Sequence, residues 1–197
     1  MLSSFLTAAL LAILLQNAIF ERAIGANILI YASRRKEQVI GFAVVITYVT
    51  TLASVVAWVL SLYLSEWAYF GILMPLLYIL VISVIYILSL VLVWRFFPNL
   101  FRKITTYVHL SVFNCSVLGG LFLISFYEQH GGELSRFIGF GFGTGIGFLA
   151  AGYLLYIAYP RLNSKLVPAA FRGLPITLVY VGIISLALYA FVGYATR

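Results

Sequence analysis

Residues 68–94 read AYFGILMPLLYILVISVIYILSLVLVW, an apolar run without a single charged side chain. A helix needs about 20 mostly apolar residues to cross the hydrocarbon core of a bilayer, so this run predicts a transmembrane helix. Five further stretches of the same character lie at 3–30, 38–64, 105–127, 136–159 and 174–194. The whole chain is 64% hydrophobic and 9% charged, whereas a soluble domain carries roughly 25% charged residues. We therefore predict an all-α integral membrane protein with six transmembrane helices, forming a single membrane domain over residues 1–197.

The net charge of +7 is concentrated in alternate loops of this predicted arrangement. Nine of the twelve basic residues follow spans one, three and five, namely Arg34, Arg35, Lys36, Arg95, Arg102, Lys103, Arg161, Lys165 and Arg172. Loops rich in lysine and arginine face the cytoplasm. The pattern predicts that both termini lie outside, and it explains the basic charge by membrane orientation rather than by nucleic-acid binding.

The two halves of the chain, about 1–98 and 99–197, resemble each other weakly. The segment Val39–Phe42 is similar to Phe137–Phe140, and Tyr78–Ser83 is similar to Tyr180–Ser185, in the same order. Because each half holds three spans, an odd number, the second copy must be inverted in the membrane. We expect two inverted three-helix repeats with functional residues near the midplane, where helices are broken.

The first span shows such a break. An unbroken helix from Leu2 to Ala32 would be about 45 Å long, against a hydrocarbon core of ~30 Å. The run is interrupted by Glu21 and Arg22 and then by the sequence Gly25–Asn27. A charged side chain at the centre of a membrane helix costs at least about 2.5–3.5 kcal/mol, so such residues have partners or functions. Two interpretations stay open: the charged pair lies within the membrane, or the span ends near Phe20 and the pair lies at its interface.

Five alternating glycines mark the start of span five, at Gly139, Gly141, Gly143, Gly145 and Gly147. Glycines allow transmembrane helices to approach each other closely. Strict alternation does not follow one helical face, so a partly irregular segment is an alternative. The run does not open a βαβ unit, which argues against a dinucleotide site.

Several segments together resemble the Rnf/Nqr membrane subunit family, in particular its RnfA/NqrE type. They are the stretch from Gln16 to Gly25 followed by Ser33–Lys36 and Gly41, then Thr50–Trp58, Asn114–Gly119 and Val167–Gly173. The resemblance covers nearly the whole chain. It implies a six-helix subunit with a broken first helix in each repeat, located in the prokaryotic plasma (inner) membrane. It also implies a partner, an RnfE/NqrD-like six-helix subunit of opposite orientation, within a larger complex that couples electron transport to Na⁺ or H⁺ movement.

The family resemblance further implies a 2Fe–2S cluster at the midplane, held by two cysteines from each of the paired subunits. Cys115, which follows Asn114, matches the second of these cysteines, but Asn27 stands where the first is expected. Iron–sulfur clusters require soft thiolate ligands, and a neutral amide is a poor substitute. We therefore expect an incomplete or absent cluster, with Asn27 and Cys115 facing each other. The alternative for Cys115 is a small buried hydrophobic residue.

Two functions are compatible with these observations. The first is a membrane subunit of an Rnf/Nqr-type ion-translocating electron-transport complex, which helps to carry electrons across the membrane and is not catalytic alone. The second is a stand-alone relative that has kept the scaffold, has lost the redox centre, and acts in transport or membrane assembly.

Overall fold

A computed structural model describes residues 1–15, 17–64, 69–127, 132–165 and 167–195. Over these residues the secondary structure is helical, with no strand. A π-helical turn covers Leu11–Leu15, and a 3₁₀ turn covers Pro98–Leu100. The α-helices are α1 (Leu2–Leu10), α2 (Ala18–Arg22), α3 (Ala26–Ala32), α4 (Lys36–Leu64), α5 (Phe70–Phe96), α6 (Phe101–Val112), α7 (Cys115–Tyr127), α8 (Leu134–Leu162) and α9 (Leu174–Ala195).

Three of the described helices, α4, α5 and α8, are long and apolar enough to cross a membrane. Helices α6 and α7 pass the same test only as a pair, and they are bent by 47° at the break between them. Two shorter apolar helices cover Leu2–Leu14 and Leu174–Ala190. The all-α membrane architecture predicted from composition is thus confirmed over the described residues, and each predicted apolar stretch corresponds to helical structure.

Helix α8 lies at the centre of the packing, and its glycines explain why. Three of them, spaced by four residues, face the first segment of the chain. A Cβ added at Gly139 would lie within 3 Å of the Phe5 carbonyl oxygen, and one added at Gly143 within 3 Å of the Ala9 carbonyl oxygen. A Cβ added at Gly147 would lie within 3 Å of the Asn17 side chain. The two between them, Gly141 and Gly145, face α4 instead, against Thr50 and Thr47. The alternation therefore represents two interleaved close-packing faces of one regular helix, and the alternative of an irregular segment is wrong.

A hydrogen bond strengthens the contact between α4 and α8. The Thr50 hydroxyl donates to the Gly141 carbonyl at 2.6 Å, and the Ile46 carbonyl of its own helix lies 2.8 Å away as the alternative acceptor of its one proton. Hydrogen bonds between helices help to hold transmembrane bundles together, since lipid offers no competing partners. This bond can form only because residue 141 has no side chain to separate the two backbones.

The loop between α8 and α9 is organised by one of its own basic residues. The Arg172 guanidinium donates to the carbonyl of Val167 through Nε at 3.0 Å and through Nη2 at 2.9 Å, and to that of Lys165 at 3.2 Å. The helices on either side are therefore joined by a short, hydrogen-bonded connection that carries positive charge.

Glu133 precedes α8 at the opposite end of that helix and is exposed to solvent. Hydrogen bonds, first from Ser4 and then from Ser135, lower the pKa of the Glu133 carboxyl below its ordinary value of 4.5. The Ser135 hydroxyl lies 3.0 Å from the carboxylate oxygen. The carboxylate thus connects the beginning of α1 with the beginning of α8.

Candidate functional site

Two breaks in the helical chain meet inside the protein. The first lies between α2 and α3, where Ala23 and Gly25 adopt positive φ angles of 54° and 84°. The second separates α6 from α7 at residues 113–114. Positive φ is costly for a residue with a Cβ atom and readily adopted by glycine. The chain therefore turns sharply at Gly25 and places the first break against the second.

The contact between the breaks is made by backbone on one side and by polar side chains on the other. The Ser116 hydroxyl donates to the carbonyl of Ile24 at 2.9 Å. A Cβ added at Gly25 would overlap that hydroxyl and would lie 2.6 Å from Asn114 Oδ1. One turn further along α7, Gly119 packs against the Ile24 side chain. Only a glycine at position 25 permits this approach.

Asparagine side chains stabilise the starts of α7 and α2. Asn114 is 3% exposed, and its Oδ1 accepts the Ser116 backbone N–H at 3.1 Å, at the first turn of α7. Asn17, also 3% exposed, accepts the Ile19 N–H at 3.0 Å before α2 and donates to the Gly147 carbonyl at 3.2 Å. Asparagine is a preferred N-cap residue. Neither role was predicted, although an asparagine directly before an apolar helical stretch is a known signal for a helix start.

Cys115 begins α7, next to the meeting point of the breaks. Its side chain is exposed, so the alternative of a small buried hydrophobic residue is wrong. The thiol lies beside a cavity of about 140 Å³ whose other lining residues are Ile79, Ile82, Val112, Phe113, Asn114 and Leu118. The only cysteine of the chain is therefore accessible from the outer surface of this protein.

Asn27 occupies the first turn of α3 and is likewise exposed. Its Oδ1 accepts the backbone N–H of the next residue, Ile28, at 2.8 Å. Within the described residues there is no hydrogen bond between Asn27 and Cys115. The structure brings Gly25 together with Asn114 and Ser116, and leaves Asn27 and Cys115 as surface residues in the first turns of the two helices that follow the breaks.

The charged pair of the first span lies at the end of α2. Arg22 is the last residue of that helix and its side chain is exposed, whereas the Glu21 side chain lies outside the described part of the structure. The break follows immediately at Ala23. The helical chain resumes in α3, at Ala26, directly after this break.

The side chains of this region can be compared with the ligands that a 2Fe–2S cluster requires. Among the described residues no group of three or more histidine, cysteine, aspartate or glutamate side chains is arranged to hold a metal ion. His109 contacts the Tyr86 hydroxyl through its Nδ1 at 2.5 Å, so its ring takes part in helix packing. The chain supplies one thiolate, from Cys115, and one amide, from Asn27, whereas the shared cluster that the family resemblance implies takes two thiolates from each subunit. The residues present therefore do not fit a conventional shared cluster.

Comparison with known proteins places this chain in a family. The family model described as "Rnf-Nqr subunit, membrane protein" matches residues 5–195. The A subunit of the ion-translocating oxidoreductase complex of Vibrio vulnificus strain YJ016 is 30% identical over 181 residues, which cover 92% of this chain and 93% of the relative. The corresponding subunit of Shewanella pealeana is 32% identical over 192 residues, 98% of each chain, and that of Tolumonas auensis is 32% identical over 181 residues, 92% of each chain. The chain therefore belongs to the Rnf-Nqr subunit family of membrane proteins.

Proposed function

We propose that this chain is a membrane subunit of an Rnf/Nqr-type ion-translocating oxidoreductase complex, in the position of the RnfA-type component, working with a related six-helix subunit. Family membership and the names of the relatives support the complex. We infer a functional site near the membrane midplane because the two helix breaks contact each other through Gly25 and Ser116. Broken helices that meet at the interface of inverted repeats are the usual location of substrate and coupling-ion sites in secondary transporters.

In the proposed fold the chain crosses the membrane six times. The first span comprises α1 to α3, the fourth comprises α6 and α7, and the others are α4, α5, α8 and α9. Two inverted repeats then relate α4 to α8 and the first break to the second. Two features support this relation: α4 and α8 each have 29 residues, and the proposed equivalents pack against each other through Gly141 and Gly145 and through Gly25.

The proposed location is the prokaryotic inner membrane with both termini outside. The basic residues support this orientation. Arg34 and Arg172 belong to connections and Arg102 to the first turn of α6, and these positions lie on one side when successive spans alternate in direction. Glu133 then lies outside, in the connection before α8. A partner of opposite orientation presents its own breaks at the same depth in the membrane.

The partner is proposed to contact the surface around Cys115 and Asn27. Both side chains are exposed in this chain, as residues at a shared site must be. Large apolar side chains near them in the sequence, Tyr31 and Phe113, are exposed as well. A partner subunit would cover these residues, and the site would then consist of groups from two chains.

We expect that this chain contributes at most one thiolate to such a site. The Asn27 amide oxygen already accepts a backbone N–H, and an amide lacks the charge and softness of a thiolate. With a partner that supplies two cysteines the site would hold three thiolates, so we propose an incomplete or absent cluster. The same observation favours a second candidate function, a stand-alone descendant that has kept the scaffold without the redox centre.

Purification from the native membrane distinguishes the two functions. We expect a related six-helix protein and further components of the complex to copurify with this chain, identified by mass spectrometry. Isolation of the chain alone, from membranes in which other complexes remain intact, would favour the stand-alone function.

Iron analysis of the same preparation tests the site. We expect less than stoichiometric iron and no reduced-state 2Fe–2S paramagnetic resonance signal in the unmodified protein. Asn27→Cys should create the signal if the pocket is still shaped for a cluster, and Cys115→Ser in that background should abolish it. A stoichiometric signal in the unmodified protein that disappears in Cys115→Ser would contradict the proposed loss of the cluster.

A further inference from the structure

An apolar groove lies on the outer surface of the protein between α4 and α8. Its cavity has a volume of about 490 Å³. Small residues form the floor: Ala43 is buried, and a Cβ added at Gly145 would overlap the Thr47 side chain. The walls are exposed side chains of both helices, namely Ile40, Val44, Tyr48, Leu52, Phe142 and Leu149. The groove is therefore open to whatever surrounds the two helices in the membrane.

The lining offers an occupant almost no polar group. The Thr47 hydroxyl donates to the Ala43 carbonyl at 2.7 Å, and the Thr51 hydroxyl donates to the Thr47 carbonyl at 2.6 Å. Both hydroxyls thus bond within their own helix, and the Tyr48 hydroxyl is the remaining polar side-chain group of the lining. A hydrocarbon chain therefore fits the groove better than a polar segment, whose buried groups would lack hydrogen-bond partners.

The length of the groove matches one leaflet of a bilayer. From Ile40 to Leu52 the lining follows α4 for twelve residues, or about 18 Å at 1.5 Å per residue. The hydrocarbon core of a bilayer is about 30 Å thick, so one leaflet contributes about 15 Å. An acyl chain that enters the groove at Ile40 would therefore end near Leu52, at about the middle of the bilayer.

Basic residues lie at the Ile40 end of the groove. Lys36 is the first residue of α4 and continues the row of Ile40 and Val44 by one turn, because residues four apart lie on the same face of a helix. Arg34 and Arg35 come directly before it, and all three basic side chains are exposed. The positive charge therefore lies where an acyl chain in the groove would meet its headgroup.

The acidic residue beside Lys36 belongs to a different face of α4. Glu37 shares a row with Gly41, one turn later. A Cβ added at Gly41 would lie 2.8 Å from the Tyr107 ring of α6, so this row faces α6. The Glu37 carboxylate therefore does not continue the row of residues that lines the groove.

Helix α8 brings a further cation to the same end. The two helices are antiparallel, because Gly141 packs on Thr50 whereas Gly152, later in α8, packs on Val39, earlier in α4. The last turn of α8 contains Arg161, which is exposed. Both helices thus carry positive charge at the end of the groove where α4 begins.

We propose that this groove binds an anionic phospholipid, with one acyl chain between α4 and α8 and the phosphate at Lys36. The apolar lining accepts hydrocarbon, and cations beside a groove between membrane helices favour a negative headgroup. A transmembrane helix of another protein fits less well, because it would span both leaflets whereas the lining ends at Leu52, about half-way along α4. The site belongs to this chain alone and does not depend on the proposed function.

Lipid titration followed by native mass spectrometry of the full-length protein tests the headgroup site. Phosphatidylglycerol should bind more tightly than phosphatidylethanolamine with the same acyl chains. Lys36→Ala should weaken phosphatidylglycerol binding about fivefold, the contribution of one cation near a membrane surface, and leave phosphatidylethanolamine binding unchanged. Arg95→Ala is the matched control, because it also removes one exposed cation, at the end of α5, which does not line the groove. Equal affinity for the two lipids, or equal losses in the two variants, would overturn the proposal.

A second pair of variants tests the acyl-chain site. Val44 is 63% exposed at the wall of the groove, so Val44→Trp should fill the groove without disturbing the core and weaken phosphatidylglycerol binding at least about fivefold. Ile183→Trp is the control, because Ile183 is similarly exposed, at 60%, on α9. Melting temperatures should show that both variants fold. Unchanged phosphatidylglycerol binding by Val44→Trp would mean that the lipid lies elsewhere, and the proposal would be wrong.

Discussion

The close packing of α1 on α8 can be tested at Gly143. A Cβ at this position would lie 2.5 Å from the Ala9 carbonyl oxygen and 2.8 Å from the Ala12 Cβ. Carbon atoms pack comfortably at about 3.5–4.0 Å, so Gly143→Ala requires α1 to move away by about 1 Å. The obstacles are backbone and a short side chain, which cannot rotate out of the way.

The expected change in the free energy of unfolding for Gly143→Ala is the balance of two opposing effects. Replacing glycine with alanine inside a helix stabilises the helix by roughly 0.8–1.0 kcal/mol. Overpacking a well-packed interface costs typically about 1–3 kcal/mol, and a gap of roughly 0.5–1 Å forfeits about a quarter to a half of each neighbouring dispersion contact. We expect a net loss of about 1–2 kcal/mol, or roughly 2–8 °C in melting temperature, and a larger loss or failure to fold for Gly143→Leu.

The control is Gly182→Ala on α9. Gly182 is exposed, and a Cβ there would meet no atom within 4 Å, so only the gain in helix propensity remains. The melting temperatures of both variants would be measured by fluorescence-detected size exclusion after heating in the same detergent. If Gly143→Ala melts at the same temperature as Gly182→Ala or above it, α1 and α8 are not packed as described.

Three further predictions concern the break, the topology and the response to acid. Gly25→Ala should reduce folded yield more than Gly173→Ala, because both glycines have positive φ but only Gly25 faces a close neighbour; equal losses would mean that backbone conformation alone matters. In a background without the native cysteine, Glu133→Cys should be labelled from outside intact cells and Arg34→Cys should not; the reverse result would contradict the orientation. Because folding lowers the pKa of Glu133, its carboxylate stabilises the folded state fully at pH values above the ordinary pKa of 4.5. This stabilisation is lost as the pH falls through the lower pKa of the folded state. Glu133→Gln should therefore melt with a weaker dependence on pH in this acidic range, and an unchanged dependence would exclude Glu133 as its source.

The topology test benefits from the structure in its choice of residue. Ser33 lies in the same connection as Arg34 but is 0% exposed, with its hydroxyl bonded to the Ile30 carbonyl. The variant Ser33→Cys would remain unlabelled on either side of the membrane because the reagent cannot reach position 33. Arg34 is exposed, so labelling there reports on the side alone.

The sequence predicted the features that depend on local composition. Helix positions followed from apolar runs of membrane length, and the structure differs at the ends of α4, α5 and α8 by only a few residues. The first break was also predictable, since Gly25 and the charged pair before it interrupt a run that is too long for one span. The bend between α6 and α7 was less visible, because Asn114 carries no charge and stands between serines, Ser111 and Ser116, that helices tolerate.

What the sequence determined by itself is that this chain lies in a membrane as a set of helices, with cysteine at only one of the two positions expected of its family. Hydropathy and residue identity are properties of short segments and need no knowledge of distant contacts. Only the tertiary structure decided which segments meet: that Gly25 packs on Ser116, that alternate glycines of α8 serve two different neighbours, and that Cys115 is exposed while Ser111 is enclosed. Many apolar helices of similar composition could pair in many ways, and the choice among them depends on how closely particular backbones can approach across about 90 residues of chain.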